Sequence, residues 1–318
     1  MIKILANDGI HPDGRLLLEE AAYFVSEDKI PENQLPDRIG EYDVLIVRSA
    51  TKVTREVIDQ GKKLKIIARG GVGLDNIDVE YATAKGITVF NTPNAPSRAV
   101  AELTFAHIFA LSRMVHRSKL EMSAGGDFKN LKKTYGTGVQ LRGKTLGIIG
   151  FGRIGQDVAR MALGLGMDVR AHDPFVQDAE IGIQLVRYSD IRLCVKIQTE
   201  PLDRMLQTSD YISLHLPGGH GAVINAPEIQ KMKDGVFLIN TARGGVIDEE
   251  ALLAGLNSGK IAGAGLDVFK NEPSPREDLL KHPNVSCTPH IGASTMEAQG
   301  YIGMELADRI IAFFGDDQ

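Results

Sequence analysis

Apolar residues in this chain fall in short runs separated by segments of helical period. In the first third the runs span 2–6, 43–47, 64–68 and 87–90. Each is rich in Ile or Val and ends at a polar or Gly-containing turn, as a strand buried on both faces of a parallel sheet does. Helical spacing runs between them over 13–22, 54–60 and 78–84, with Thr54 and Asp78 placed as N-caps. A turn-rich NTPNAPSR (91–98) leads into one long helical pattern over 99–122, followed by a polar, Gly-rich loop or arm over 124–138. A second series then begins, with strands expected at 145–149, 167–172, 211–215, 236–240 and 262–266. The last helical pattern, 296–314, follows a turn-rich crossing at CTPHIGAS (287–294). Alternating strands and helices predict an α/β fold of doubly wound parallel sheets. A last helix that returned to the first domain would make that domain discontinuous. The expected division is 1–96 and 287–318 for the first domain, with 97–286 between them.

Composition narrows the class. The 318 residues suggest about two domains. Hydrophobic residues at 43% and charged residues at 24% are ordinary for a globular chain. Cys194 and Cys287 are too few for a disulfide scaffold or a thiolate cluster, and no metal site is expected. The N-terminus turns polar too early for a signal peptide. The apolar stretch 100–115 is interrupted by Glu102, His107 and Arg113, so it does not read as a membrane span. A net charge of −5 argues against general nucleic-acid affinity. These features point to a soluble, cytoplasmic protein. Glycine, 34 of 318 residues, exceeds the usual ~7% and clusters where tight turns or close ligand approach need it.

One cluster has a specific form. A strand pattern at 145–149 runs into Gly150-x-Gly152-x-x-Gly155, then a helical pattern, then a second strand ending at Asp173, 18 residues on. In a dinucleotide-binding turn the first Gly permits the tight turn. The second lets the backbone approach a pyrophosphate, and the third lets the helix sit close to the strand. The helix N-terminus offers N–H groups to phosphate. Asp173 would accept from the adenosine ribose hydroxyls and repel a 2′-phosphate, which favours NAD over NADP.

Three further segments put polar groups beside turn residues: Asn240–Gly245, Asn271-Glu272-Pro273 and Thr288–Thr295. Arg243 follows an apolar strand, where ligands of an open parallel sheet bind. Its planar fork suits a carboxylate. An Arg, a Glu and a His are the minimum set for hydride transfer at C2 of a 2-hydroxy acid. The Arg clamps the carboxylate, the His takes the hydroxyl proton, and the Glu orients the imidazole and raises its pKa. Each residue alone also fits a structural role. Arg243 could cap a strand end, Glu272 could be a solvated loop residue, and His290 could hold a turn.

The motifs VRSATKVT (47–54), GGVGLDNID (70–78), NTPNAPSRAVAEL (91–103), GFGRIG (150–155), NTARGGVIDEEAL (240–252), GLDVF (265–269), NEP (271–273) and PHIGASTMEAQ (289–299) occur in this order over nearly the whole chain. Together they resemble the D-isomer-specific 2-hydroxyacid dehydrogenase family, and within it most the phosphoglycerate dehydrogenase branch. The resemblance implies a Rossmann NAD-binding domain inserted in a discontinuous flavodoxin-like substrate domain, with the active site in the cleft between them and a homodimer formed through the cofactor domains. It implies Arg243, Glu272 and His290 as the catalytic trio. Gly150, Gly152, Arg153, Ile154, Gly155, Asp173, Pro217, Thr241, Asp267 and Gly292 would bind NAD, with Asp267 near the nicotinamide. The backbone of Val72 and Gly73 would help hold the substrate carboxylate together with Arg243. A terminal phosphate would need cations such as Arg48 and Lys52. In the phosphoglycerate branch the Arg matching Arg48 serves this role, and Lys132 and Lys133 resemble residues that add positive charge near the site. The implied reaction is oxidation of 3-phosphoglycerate to 3-phosphohydroxypyruvate in serine biosynthesis.

Alternatives stay open. Arg48 and Lys52 could be a solvated strand end, and a glyoxylate or hydroxypyruvate reductase is the nearest other enzyme. A fold of this kind also serves NAD-responsive corepressor-like proteins. Two departures from the family pattern stand out. Residues 187–200 read as a surface insertion of no assigned function, and the loop 218–223, with His220, reads as shortened beside the cofactor. The chain ends soon after its last helix, so C-terminal regulatory domains and serine feedback through them are not expected.

Overall fold

The structure, a computed structural model, describes residues 1–185, 188–219 and 221–315. Arg187 in the expected insertion and His220 in the expected short loop lie outside them. The chain forms two compact units, Met1–Ser97 with Ala293–Gln318, and Arg98–Gly292. The return to the first unit therefore comes after Gly292, not before Cys287 as expected. Local hydrogen bonds give the reason. Thr288 N–H donates to the Leu266 carbonyl at 3.0 Å, and the amides of Ile291 and Gly292 donate to the Asp267 carboxylate, each at 2.8 Å.

The first unit is a five-stranded parallel sheet of β1 (Lys3–Ala6), β2 (Phe24–Ser26), β3 (Val44–Val47), β4 (Ile66–Arg69) and β5 (Thr88–Asn91), in the order β2-β1-β3-β4-β5. Neighbouring residues of one strand serve opposite faces. Leu45 and Val47 pack into one apolar cluster, and Val44 and Ile46 into another. This is why the strands read as unbroken apolar runs. The helix Met296–Gly315 covers the second of these faces with Ile302, Leu306, Ile310 and Phe314. Strand β2 was not legible in the pattern. It has three residues, lies at the sheet edge and leaves Phe24 exposed. Asp78 caps its helix by accepting from the Tyr81 amide at 3.1 Å, whereas Thr54 stands at its helix start without a side-chain bond.

The second unit carries β6 (Thr145–Ile149), β7 (Asp168–His172), β8 (Asp178–Leu185), β9 (Tyr188–Gln198), β10 (Tyr211–Leu214), β11 (Val236–Asn240), β12 (Ile261–Leu266) and β13 (Val285–Cys287). Six of these form a parallel sheet in the order β13-β12-β11-β10-β6-β7. The order reverses between β6 and β10, the switch point outside which open α/β sheets bind ligands. The segment expected as a plain surface insertion is largely β9. It pairs antiparallel with β8, from Asp178 opposite Gln198 to Leu185 opposite Tyr188, and a bridge from Thr199 to Ala171 ties it to β7.

Two further expectations change. The long helix over 99–122 is two helices, Ser97–Ser112 and Val115–Ser123, because Met114 takes a left-handed φ of 51° between them. The loop 124–138 contains the helix Phe128–Thr134, capped by the Asp127 carboxylate on the Asn130 amide. Among the described residues no helix is long and apolar enough to cross a membrane.

Candidate active site

The Gly-rich turn joins β6 to the helix Arg153–Gly164. Gly150 has φ +92°, and a Cβ there would lie 2.3 Å from the His215 carbonyl oxygen just beyond β10. A Cβ on Gly155 would lie 2.2 Å from the Gly150 carbonyl oxygen, so any side chain would push the helix off the strand. A Cβ on Gly152, the helix N-cap, would meet nothing within 4 Å. That open space at a helix N-terminus could hold the phosphates of a dinucleotide. Arg153 and Ile154 begin the helix. Asp173 follows β7, and its carboxylate is already tied down. One oxygen accepts from the Phe151 amide at 2.7 Å, and the other from the amides of Phe175 and Val176. The Asp thereby braces the Gly-rich turn directly. Pro217 lies exposed three residues past β10.

The turn after β11 is built by its last residue. The Asn240 side chain accepts from the Ala242 amide at 3.0 Å and donates to the Arg243 carbonyl at 2.9 Å. Thr241 is buried, its hydroxyl 2.9 Å from that of Thr104. Gly244 brings this turn against the segment after β12, since a Cβ there would sit 1.9 Å from the Phe269 carbonyl oxygen. That segment carries Glu272. One of its carboxylate oxygens accepts from the Phe269 amide at 2.9 Å, and the other meets His290 Nδ1 at 2.7 Å.

A carboxylate only accepts, so His290 carries its proton on Nδ1 and presents Nε2 for exchange with a ligand. The hydrogen bond to Glu272 raises the His290 pKa, burial works against it, and the charges of Glu272 and Asp267 add to the rise while that of Arg243 opposes it. Burial alone would raise the Glu272 pKa. The hydrogen bonds from His290 and Phe269 and the nearby charges of His290 and Arg243 outweigh it and leave the carboxyl below its ordinary value. The three residues named as a trio are thus one electrostatic unit.

His290 has φ 55°, a left-handed conformation that costs an L-residue about 1–3 kcal/mol unless its surroundings impose it. Here they do. The His290 amide donates to the Asp267 carbonyl at 2.8 Å, and the Asp267 carboxylate holds the next two amides. Asp267 itself is 1% exposed. Sequence reading missed this role for Asp267 and missed Asn240. An Asn ending an apolar strand just before a turn was the available signal.

Of the remaining candidates, Arg48, Lys52, Val72 and Gly73 lie in the first unit and Lys132 and Lys133 in the second. The carboxylate of Asp8, just after β1, accepts from the amides of Arg48 and Thr51 and from the Thr51 hydroxyl. It shapes the loop after β3. Arg48 lines a small cavity with Gly9, Ile10, His11, Gly70 and Gln299. Lys52 is exposed, and its amide donates to Glu32 at 3.0 Å. The backbone of Val72 and Gly73 follows β4, with the Val72 carbonyl accepting from the Asn91 side chain. Lys132 and Lys133 end the helix Phe128–Thr134.

Comparison with known proteins identifies the family. Residues 105–292 match the D-isomer specific 2-hydroxyacid dehydrogenase, NAD binding domain. The chain is 44% identical to a hydroxypyruvate reductase of Thermotoga maritima over 98% of each protein. It is 42% identical to a D-3-phosphoglycerate dehydrogenase of Methanocaldococcus jannaschii over 98% of this chain, but it spans only 57% of that protein. Among solved structures, a D-lactate dehydrogenase of Aquifex aeolicus complexed with NAD and lactic acid superposes with a TM-score of 0.76 at 30% identity, covering 100% of this chain and 96% of that one. The TT0316 protein of Thermus thermophilus superposes with a TM-score of 0.84 at 31% identity, covering 99% and 97%. Matched by the family's own domain over more than half its length, and by relatives over nearly all of it, the chain belongs to the D-isomer-specific 2-hydroxyacid dehydrogenases, NAD-dependent oxidoreductases.

Proposed function

We propose that this enzyme moves a hydride between nicotinamide and C2 of a three-carbon 2-hydroxy or 2-oxo acid, with 3-phosphoglycerate and 3-phosphohydroxypyruvate as the preferred pair. NAD, when bound, supplies the hydride acceptor or donor. Arg243 binds the substrate carboxylate and polarises the C2 oxygen. His290 Nε2 takes the hydroxyl proton in oxidation and returns it in reduction. Glu272 holds the ring by Nδ1 and stabilises the imidazolium. The observation that carries the proton step is the 2.7 Å Glu272–His290 bond, which fixes the tautomer and raises the pKa.

The phosphorylated substrate rests on Arg48 and Lys52, two cations within five residues just after β3. A second reading, hydroxypyruvate, is favoured by the Thermotoga relative and by two carboxylates, Asp8 and Glu32, bonded to the same loop. A panel of 2-oxo acids with NADH, with and without a terminal phosphate, separates the two. Higher kcat/KM for 3-phosphohydroxypyruvate supports the first, and higher kcat/KM for hydroxypyruvate supports the second.

We also infer a homodimer. The helices Val115–Ser123 and Phe128–Thr134 contain no buried residue, and Val115, Leu120, Met122 and Phe128 are each more than half exposed. Four large apolar side chains left exposed on two successive helices are what a second copy of the chain would cover.

A further inference from the structure

The helix Ser97–Ser112 carries His107 into the interior of the second unit, where it is 2% exposed. Its ring fills space that Gly265 of β12 leaves open, since a Cβ on Gly265 would lie 2.7 Å from the His107 Cβ. Both ring nitrogens are engaged. Nδ1 lies 3.0 Å from the Ser286 hydroxyl and Nε2 lies 3.1 Å from the Thr288 hydroxyl. The Thr288 hydroxyl donates to Asp267 Oδ1 at 2.6 Å.

The direction of every bond follows. The Asp267 carboxylate accepts from the Thr288 hydroxyl and from the amides of Ile291 and Gly292. The Thr288 proton is therefore committed, and its oxygen must accept from His107. His107 then carries its proton on Nε2, and Nδ1 accepts from Ser286. One neutral tautomer satisfies all three bonds. Burial lowers the His107 pKa, which keeps the ring in that form at neutral pH.

We propose that His107 is a positioning residue for the loop 290–292: through the Thr288 hydroxyl and the Asp267 carboxylate it holds the backbone that sets the His290 imidazole. The inference rests on the reading of His290 as the proton carrier. A leucine at 107 would also fill apolar space, but it would leave Thr288 free to rotate and to release Asp267. The loop holds His290 at a left-handed φ, so loosening Asp267 lets the ring drift. A small misplacement of a proton-transfer group costs rate rather than substrate affinity.

The test is a double-mutant cycle read as kcat and KM, with NADH and with hydroxypyruvate and 3-phosphohydroxypyruvate as substrates. His107→Leu is expected to lower kcat about tenfold while KM stays within about twofold, the loss of one hydrogen bond in a buried network. His107→Gln, whose amide can place an N–H near the Nε2 position, should recover most of that loss. Thr288→Val should lose as much as His107→Leu, and the two together no more than either. Additive losses, a loss borne by KM, or no rescue by Gln would overturn the proposal. If His107→Leu does not fold, the half-buried Thr288 carries the test. Thr288→Ser keeps the hydroxyl and should stay near wild type, and equal activity of the Ser and Val variants would overturn the proposal. His290→Ala is assayed alongside. Near-normal turnover there removes the proton-carrier reading, whereas an inactive His290→Ala beside unaffected His107 variants removes only the positioning role.

Discussion

The Glu272–His290 pair makes a directional claim about pH. The His290 pKa is held above its ordinary 6.5. Oxidation needs the neutral ring, so its kcat/KM rises as pH climbs through that raised value. Reduction needs the protonated ring, so its kcat/KM falls through the same value. Glu272→Gln removes the anionic acceptor that favours imidazolium, and both midpoints are expected to move to lower pH. Profiles of kcat/KM in the two directions check this, and unmoved midpoints would show that Glu272 does not tune His290. Asp173 carries a second claim at this scale. If its carboxylate faces the adenosine ribose, as proposed, it repels a 2′-phosphate, so wild type should prefer NADH over NADPH, and Asp173→Ala should narrow the ratio. Equal kcat/KM with the two cofactors in wild type would contradict it.

The strands and the Gly-rich turn were legible because their causes are local. An unbroken VLIV run has to be buried on both sides, and a turn with φ +92° needs Gly150. What escaped notice depended on contacts distant in sequence. Strand β2 is three residues at a sheet edge and pairs with β1. Strand β9 looks like an insertion until its partner β8 is known. The trio came from residue types and motif resemblance, but its geometry did not, because Glu272 and His290 are 18 residues apart. His107 was visible only as a polar interruption of an apolar helix, and its hydrogen bonds reach residues about 180 positions away. Two glycines, Gly150 in the turn and Gly164 in the helix that follows it, give a paired test. Gly150→Ala forces a Cβ onto the His215 carbonyl and should weaken NADH binding at least about tenfold and lower the Tm. Gly164→Ala, at the end of the following helix with open space around it, should raise stability by about 0.5–1 kcal/mol. NADH fluorescence titration and thermal melts of the two variants decide the matter, and similar behaviour of both would contradict this account of the turn.

At the scale of the whole molecule, the proposed dimer should run in solution at twice the 34.5 kDa of the chain. Replacing Leu120 and Met122 together with Lys should shift the mass measured by light scattering toward the monomer, and an unchanged dimer would place the interface elsewhere. Substrate choice also belongs here, and the proposed phosphate ligands Arg48 and Lys52 carry it. Arg48→Ala should cost at least about tenfold in kcat/KM for 3-phosphohydroxypyruvate while sparing hydroxypyruvate, as expected for loss of a charged hydrogen bond to phosphate. Equal losses on both would assign Arg48 a structural role. The most direct test of the central claim is NADH consumption by wild type and His290→Ala with these two acids, measured beside NADH affinity. General acid–base groups contribute about 10²–10⁴-fold. Turnover should therefore fall by at least about a hundredfold in the variant while NADH affinity stays within about twofold. Near-normal turnover in His290→Ala, or no turnover of any 2-oxo acid by wild type, would contradict the account.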